Sequence, residues 1–308
     1  MGNIASVIST KRRRRHTLSP SQDIDTLSQL HRPSPAELDR LRLQHLIVKT
    51  VWQGNFSSPC HEILRSGCAR ILNVGCRPGT WINDTAFEYP EAHFVGVDVL
   101  PENLFEQSHF NVEFKQTKSL TKLPFESSTF NFVTMSFLML QVSNEEYAEV
   151  VKECVRMLKP GGWIEIMEID SGLQNPGPAT AEVIKTCKCL FNVRYCGSNS
   201  TAYCFQKVRS KNRDPCIASS VEIFLKETGK LSRIQHETRD WPLGSWAGKF
   251  GNMSNATANE IFVDYAKQFA MSITSEPEEL EELAKNYLLE WETNRSSVRM
   301  NRFYAQKQ

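Results

Sequence analysis

The sequence predicts an α/β fold: a doubly wound, mostly parallel sheet of seven strands, covered by helices on both faces and extended by C-terminal insertions. Three observations lead to this prediction. Short apolar segments alternate with amphipathic segments between residues 69 and 170, as strands and helices alternate around a parallel sheet. A glycine-containing turn joins the first strand to the helix that follows it. The 308 residues, 40% of them hydrophobic, are enough for one large domain.

The elements of residues 34–170 follow from capping signals and hydrophobic periodicity. Residues 34–37, Ser-Pro-Ala-Glu, form a capping box with proline at the first helical position, so a helix begins there. Ser143–Glu146 caps a later helix, which Pro160-Gly161-Gly162 is predicted to end. The predicted strands are ARILNVG (69–75), AHFVGVDVL (92–100), NVEFKQ (111–116), TFNFVTMSFLML (129–140) and WIEIMEID (163–170), and the predicted helices between them are TWINDTAFEY (80–89) and EEYAEVVKECVRML (145–158).

Beyond Asp170 the pattern is weaker but continues. It predicts helices at 216–229 and 276–292, the first ended by Gly229, and a sixth and a seventh strand at 231–241 and 298–307. We therefore assign residues 34–308 to one domain, with a core at 69–170 and with insertions and the last strands at 171–308.

The composition excludes several classes of protein. The net charge of +1 gives no field that would attract nucleic acid, so no nucleic-acid partner is expected. No run of about 18 apolar residues indicates a transmembrane helix, and no apolar h-region behind the N-terminus indicates a secretory signal. The nine cysteines are therefore expected to be reduced thiols in the cytoplasm. Because no Cys-x-x-Cys pair occurs, we predict no metal site in the cysteine-rich stretch, which contains Cys187, Cys189, Cys196 and Cys204.

The first 33 residues are predicted to be a disordered tail, because they are polar, rich in serine and interrupted by proline. Gly2 and Ser6 match the N-myristoylation pattern, and five cations follow at Lys11–Arg15. An acyl chain and a polybasic patch together would tether the chain to an anionic membrane surface. Two other readings remain open: a solvated tail that begins with glycine by chance, and a nuclear-import signal.

The loop after the first strand is where a ligand is expected. Gly75 and Gly79 let the backbone approach a ligand closely, ahead of the free N–H groups of a helix. Arg77 and Thr80 stand where a dinucleotide fingerprint has its second and third glycines, so that fingerprint fails. Asp98 ends the second strand, where an acid binds the hydroxyls of a ribose. The loop and the acid together predict a ribose-bearing ligand without identifying it.

Two later segments narrow the choice. LPFESSTFNFV (123–133) and RMLKPGGWIEIMEID (156–170) resemble the class I S-adenosylmethionine-dependent methyltransferases, with their Leu-Pro-Phe turn and their Leu-Lys-Pro-Gly-Gly turn. More narrowly, DRLRLQHLIVKTVWQGNFSSP (39–59), PLGSWAGKFG (242–251) and RFYAQK (302–307) look like fungal methyltransferases of the type that includes secondary-metabolism regulators. The resemblance implies a Rossmann-like methyltransferase fold, S-adenosyl-L-methionine as the cofactor, and a small-molecule or lipid-like acceptor.

The resemblance also implies roles for residues. Gly75 and Gly79 would line the methionine part of the cofactor, Asp98 would hold the ribose, and Val99 would lie beside the adenine. Phe137 and Leu138 would flank the cofactor and face the acceptor. The predicted cofactor-binding set is Asn73, Gly75, Cys76, Arg77, Gly79, Asp98, Val99, Ser119, Leu120 and Phe137.

Three of these positions depart from the family's pattern. Asn73 and Ser119 stand where the family commonly has acids, and Arg77 replaces a glycine, where its side chain either occupies cofactor space or pairs with the cofactor carboxylate. Asn131 also replaces an aspartate, at a position that is largely structural. The sequence therefore leaves open an alternative: a catalytically degenerate protein on the same fold with a binding or regulatory role, or an adaptor that serves mainly as a membrane tether.

No catalytic residue is predicted. Glu168, Asp170 and His109 are candidates for a general base, but for each a capping or solvated role is the stronger interpretation. The acceptor and the oligomeric state cannot be read from the sequence.

Overall fold

The computed structural model describes residues 35–101, 104–106, 109–139, 141–178, 180–181, 217–255, 257–258 and 277–308. Seven strands form one sheet in the order β3-β2-β1-β4-β5-β7-β6. Strands β1 to β5 are parallel, and β7 runs antiparallel between β5 and β6. The bounds are β1 Arg70–Val74, β2 His93–Asp98, β3 Val112–Gln116, β4 Phe130–Ser136, β5 Leu158–Gln174, β6 Leu231–Pro242 and β7 Ser297–Lys307.

Helices lie on both faces of this sheet, which confirms the predicted doubly wound α/β fold. Adjacent residues of a strand point to opposite faces, so each strand contributes to two core layers. Leu72 and Val74 of β1 enter one layer, whereas Ile71, which precedes them, enters the other. The helices are α1 Pro35–Trp52, α2 His61–Leu64, α3 Thr80–Glu88, α4 Asn144–Met157, α5 Ala218–Glu227 and α6 Pro277–Thr293.

Local sequence signals account for most of the boundaries. The capping box that opens α4 is present, because the Ser143 hydroxyl accepts from Glu146 N–H (3.2 Å) and the Glu146 carboxylate accepts from Ser143 N–H (2.8 Å). Ser34, the first residue of the other predicted capping box, lies outside the described residues.

Two boundaries differ from the prediction. The Pro160–Gly162 turn lies inside β5, where the register against β4 shifts between the pairs Phe130–Leu158 and Phe132–Trp163. This is a bulge rather than a helix stop, since α4 already ends at Met157. β4 ends at Ser136, four residues earlier than predicted, because Phe137 adopts a left-handed conformation with φ of 56°.

The tail at 1–33 and the cysteines at 187–204 lie outside the described residues, so those predictions and the domain division remain predictions. Among the helices that are described, none combines the length and the apolar character that crossing a bilayer requires.

Candidate active site

A solvent-open cleft with about 730 Å³ of empty space lies at the carboxyl ends of β1 and β4. These two strands are neighbours although two other strands separate them in the chain, so the strand order reverses between them. Ligands of open α/β sheets bind at such reversal points. Three segments wall the cleft: the loop after β1, the end of β4, and one face of α1 between Leu41 and Lys49.

The loop after β1 has a conformation that requires its glycines. Gly75 and Gly79 have φ of 67° and 102°, in the region that disfavours side chains. A Cβ at Gly75 would overlap the Leu138 side chain, and one at Gly79 would overlap the Phe114 ring. No side chain caps the amino end of α3, which begins directly after Gly79. The loop therefore presents backbone to the cleft at the start of a helix, as an approaching ligand requires.

Asp98 fixes the loop to the end of β2. Its carboxylate accepts from the backbone N–H groups of Arg77 (2.8 Å) and Leu100 (3.1 Å), and the residue is only 2% exposed. Burial raises the pKa of the Asp98 carboxyl, whereas these N–H groups and the Arg77 guanidinium oppose the rise. A carboxylate has about four lone-pair sites, so the Asp98 carboxylate retains acceptor capacity beyond these N–H groups.

Arg77 extends across the cleft. Its φ is 53°, so it occupies a left-handed position that favours glycine. Its Nη2 donates to the carbonyl oxygen of Phe137 at 3.2 Å, and Phe137 itself has φ of 56°. Two left-handed non-glycine residues thus face each other from β1 and β4, and strained backbone of this kind clusters at functional sites.

The structure brings together part of the predicted cofactor set. Asn73, Gly75, Cys76, Arg77 and Phe137 all line the cleft. Gly79 lies at its edge as the N-cap of α3. Burial, reinforced by the charge of Asp98, raises the pKa of the Cys76 thiol well above its usual value, so the thiol stays protonated.

The remaining members lie beside the end of β2, outside the cleft wall. Val99 and Leu120 belong to the same core layer, and the Ser119 hydroxyl is paired with Thr121 at 2.8 Å. The segment after β3 is joined to β2 by a hydrogen bond from Thr117 N–H to the Asp98 carbonyl (2.8 Å). These residues are thus close to Asp98 along the sheet edge. A ligand whose ribose is bound at Asp98 could contact them with the part that extends beyond the ribose.

Two of the candidate bases are not placed for catalysis. Glu168 is fully buried, and its Oε1 accepts from Leu138 N–H (2.8 Å) and from the Tyr147 hydroxyl (3.0 Å). This carboxylate holds the turn after β4 from behind rather than facing the cleft. The ring of His109 lies 5.9 Å from that of Phe87, away from the cleft wall.

Glu168 gives the fold a measurable pH dependence. Burial raises its pKa to about 7, although Leu138 N–H and the Tyr147 hydroxyl oppose the rise. Because the folded chain binds this proton more tightly than the unfolded chain, Glu168 contributes stability at low pH that is lost as pH rises through about 7. As the pH rises from 5 to 8, we expect the free energy of unfolding of Glu168→Gln to increase relative to that of the wild type, by on the order of 1–3 kcal/mol. Urea unfolding at several pH values measures this, and parallel pH curves for the two proteins would contradict it.

Sequence reasoning missed two polar groups in the cleft. Glu165 and Arg302 form a buried pair on neighbouring strands, with 3.5 Å between Oε1 and Nε. Glu165 also accepts from Ser58 N–H (2.7 Å), and Arg302 lies 4.5 Å over the Trp52 ring. This pair fixes the segment after α1 against the sheet. Its partners are distant in the chain, so no local signal indicated it.

The second missed group consists of His45 on α1 and Asp84 on α3, which are 2.9 Å apart between Nε2 and Oδ2. One signal in the sequence could have indicated this group. Polar residues interrupt the apolar face of α1, because Gln44, His45 and Lys49 lie on the face that also carries Leu41 and Val48.

The comparisons with known proteins agree with this site. Residues 71–162 match the family described as a methyltransferase domain. The N-methyltransferase verN of Clonostachys rogersoniana is 28% identical over 46% of this chain and 50% of its own length. The methyltransferase str3 of Strobilurus tenacellus is 28% identical over 68% of this chain and 69% of its own. A demethylmenaquinone methyltransferase of Lactococcus lactis is 31% identical over 32% of this chain.

The chain spans about half the length of verN and of the N-methyltransferase tcpN of Claviceps purpurea. Among solved structures, a Haemonchus contortus phosphoethanolamine N-methyltransferase in complex with S-adenosyl-L-methionine is 17% identical, with a TM-score of 0.44 over 86% of this chain and 57% of its own. The matched domain covers β1 to the start of β5, with the glycine loop, Asp98 and the cleft inside or beside it. Residues 71–162 therefore match a methyltransferase domain, and the relatives that share this region are named as methyltransferases.

Proposed function

We propose that this protein transfers a methyl group from S-adenosyl-L-methionine to a small-molecule acceptor bound in the cleft. The observation that carries the proposal is that the glycine loop and Arg77 line a cleft at the strand-order reversal, while Asp98 at the end of β2 holds the loop through Arg77 N–H. Relatives named as methyltransferases support the same reaction class.

The residues present fit the cofactor. The glycine loop presents its backbone to the cleft at the start of α3, and the Asp98 carboxylate, which holds that loop, retains acceptor capacity for a ribose hydroxyl. Arg77 supplies a guanidinium that suits the cofactor carboxylate. Bound there, S-adenosylmethionine would supply an electrophilic methyl group on a sulfonium. The chain's own contribution would be to hold the two reactants in line and to exclude water with α1.

Nitrogen is the acceptor atom that we favour. Two of the relatives, verN and tcpN, are named as N-methyltransferases. A lipid-like acceptor is the second candidate, because another relative is named as a demethylmenaquinone methyltransferase. A catalytically degenerate protein that retains only binding is the alternative function, since Asn73, Arg77 and Ser119 depart from the family pattern.

Calorimetric titration of the full chain with S-adenosylmethionine and S-adenosylhomocysteine tests the proposal. Micromolar binding of both, followed by methyl transfer from radiolabelled cofactor to a member of an amine and phenol panel, would support the enzyme. Binding without transfer would support the degenerate alternative. The absence of binding at millimolar cofactor would contradict both the enzyme and the degenerate binding protein.

We further propose that the N-terminal tail tethers the protein to the cytoplasmic face of a membrane. Gly2 and Ser6 supply the acylation pattern, and the cations at Lys11–Arg15 supply attraction of roughly 1 kcal/mol each near anionic lipid. One acyl chain alone binds marginally, so both signals are needed.

Replacing Gly2 by alanine separates the tether from the fold. We expect Gly2→Ala to move a fluorescent C-terminal fusion from membranes to the cytosol, because the acceptor amine of glycine is removed. Cofactor affinity should not change. Ser9→Ala in the same tail is the matched control. Unchanged membrane association of Gly2→Ala would contradict the tether, and nuclear accumulation of the wild type would favour the import signal.

A further inference from the structure

His45, on the wall of the cleft, and Asp84 form a hydrogen-bonded dyad to which cofactor binding assigns no role. His45 lies on the face of α1 that covers the cleft, and its Nε2 is 2.9 Å from Oδ2 of Asp84. The His45 side chain is 15% exposed, so the ring is largely packed yet reaches the cleft. It is the only histidine in the cleft wall among the residues that the structure describes.

The hydrogen bonds determine which ring nitrogen is available. Burial opposes ionisation of Asp84, but the hydrogen bonds from His45, Lys49 and Asn55 hold the pKa of its carboxyl well below the usual value. An ionised carboxylate only accepts hydrogen bonds, so Nε2 of His45 must carry the hydrogen. In the neutral ring the lone pair is then on Nδ1, and no hydrogen bond to Nδ1 joins it to any other described residue.

A second set of contacts holds Asp84 in place. The Lys49 ammonium donates to Oδ2 of Asp84 and also pairs with Glu88, each at 2.7 Å. The Asn55 side-chain amide donates to the same Glu88 at 3.1 Å. The orienting carboxylate is therefore anchored on α3 by groups from α1 and from the segment after it. The cation of this set, Lys49, is already shared by two carboxylates, and His45 contributes an imidazole to the cleft wall beside it.

We propose that His45 is the general base of this site, that Asp84 is its positioning residue, and that the acceptor carries a proton which it must lose. The acceptor is then an amine that enters the cleft with an N–H proton to lose, or a hydroxyl, rather than a thioether or an aromatic nitrogen that carries no proton. This inference rests on the proposed methyl transfer, because a base has no task without an acceptor.

The step balances without a further reactant. The acceptor's nitrogen or oxygen forms a bond to the methyl carbon as the bond from that carbon to sulfur breaks, and the bonding pair leaves with sulfur as a neutral thioether. The acceptor's proton passes to Nδ1 of His45, and the imidazolium formed is stabilised by the ionised Asp84. The proton then passes to solvent through the open side of the cleft.

The charges around His45 decide how it responds to pH. Asp84 faces it from α3, Lys49 lies one turn further along α1, and Arg77 lies on the other side of the same cleft. The pair Glu165 and Arg302 lies at the cleft floor and is mutually compensated. A general base acts only while its accepting nitrogen holds no proton, so the rate should fall on the acidic side of the pH profile.

Turnover with two kinds of acceptor probe tests the proposal. Phenols and amines in their ammonium form lose a proton on methylation, whereas thioethers and pyridines carry no proton at neutral pH and lose none. With the first kind we expect His45→Gln to lower kcat by about 100-fold, in the range typical of a general base, and to flatten the acidic limb of the pH profile. KM, cofactor affinity and turnover of thioethers and pyridines should stay close to wild type. His93→Gln is the matched control, because His93 also faces a carboxylate, that of Glu113, far from the cleft.

A second measurement does not depend on turnover. Nitrogen-15 NMR of the histidine-labelled full chain, saturated with S-adenosylhomocysteine and assigned with His45→Gln, reports the tautomer of the neutral ring. We expect hydrogen on Nε2 and none on Nδ1, and a mixture of tautomers in Asp84→Asn. Hydrogen on Nδ1 in the wild type would overturn the proposal, and so would full kcat in His45→Gln with amines and phenols. Failure of the chain to bind cofactor would instead contradict the proposed function. The NMR result would still show which tautomer the His45 ring adopts.

Discussion

Asp98→Ala is expected to weaken S-adenosylmethionine binding by about 100-fold or more. The Asp98 carboxylate would accept from the ribose hydroxyls while it holds the backbone N–H groups of Arg77 and Leu100. Hydrogen bonds to a charged group contribute about 1.5–3 kcal/mol each, and 1.4 kcal/mol corresponds to a factor of ten in affinity. The variant also leaves those N–H groups without their acceptor. The ligand therefore loses a hydrogen-bond partner, and the glycine loop loses the contact that holds it to β2.

Isothermal titration calorimetry checks this prediction. Asp98→Asn is the informative companion, because one amide oxygen still accepts from Arg77 N–H while the charge is lost; we expect it to lie between wild type and Asp98→Ala. Asp240→Ala removes an exposed partner of Arg299 far from the cleft and serves as the control. An Asp98→Ala protein that is folded by circular dichroism and binds cofactor as wild type does would show that the ribose is held elsewhere.

The fold could be predicted because its signals are local. β1 and β2 are short apolar runs in the sequence, and a capping box that is present in the structure indicates the start of α4. The glycine loop could be found for the same reason, since Gly75 and Gly79 are spaced by the turn itself. β4 was predicted too long, because nothing in Phe137-Leu138-Met139 indicates that the chain turns sharply at a phenylalanine.

The acceptor side of the cleft could not be predicted, because its contacts join distant parts of the chain. His45 and Asp84 are 39 residues apart, and Glu165 and Arg302 meet only because β5 and β7 are neighbours. The order of β6 and β7 in the sheet is a tertiary outcome that hydrophobic periodicity does not contain. Polar residues within apolar segments, such as Glu165 in β5, were therefore read as strand positions rather than as partners.

Arg77 is the departure from the family pattern with the most consequence for the site. A guanidinium at this position either blocks the cofactor or binds its carboxylate, and we expect binding. Its Nη2 donates to the Phe137 carbonyl oxygen at 3.2 Å, which holds the guanidinium at the cleft, where its planar set of N–H donors suits a carboxylate. Lys49, the neighbouring cation in the cleft, is already shared by Asp84 and Glu88.

We therefore expect Arg77→Gly to weaken S-adenosylmethionine binding by about 10- to 30-fold, equivalent to about 1.4–2 kcal/mol. Stability should change by less than about 1 kcal/mol. Glycine relieves the left-handed strain at φ of 53°, whereas it adds chain entropy to the unfolded state. Calorimetry gives the affinity, and urea unfolding gives the stability.

Arg77→Lys distinguishes charge from geometry at the same position. It retains the cation but not the planar pair of donors, so we expect it to recover part of the affinity that Arg77→Gly loses. S-adenosylmethionine and its decarboxylated analogue should differ in affinity for wild type and become similar in Arg77→Gly, because the carboxylate has then lost its partner. Tighter binding of S-adenosylmethionine by Arg77→Gly than by wild type would mean instead that the guanidinium occupies the space of the cofactor. The protein would then be a methyltransferase domain closed by its own loop, and the regulatory alternative would replace the enzyme.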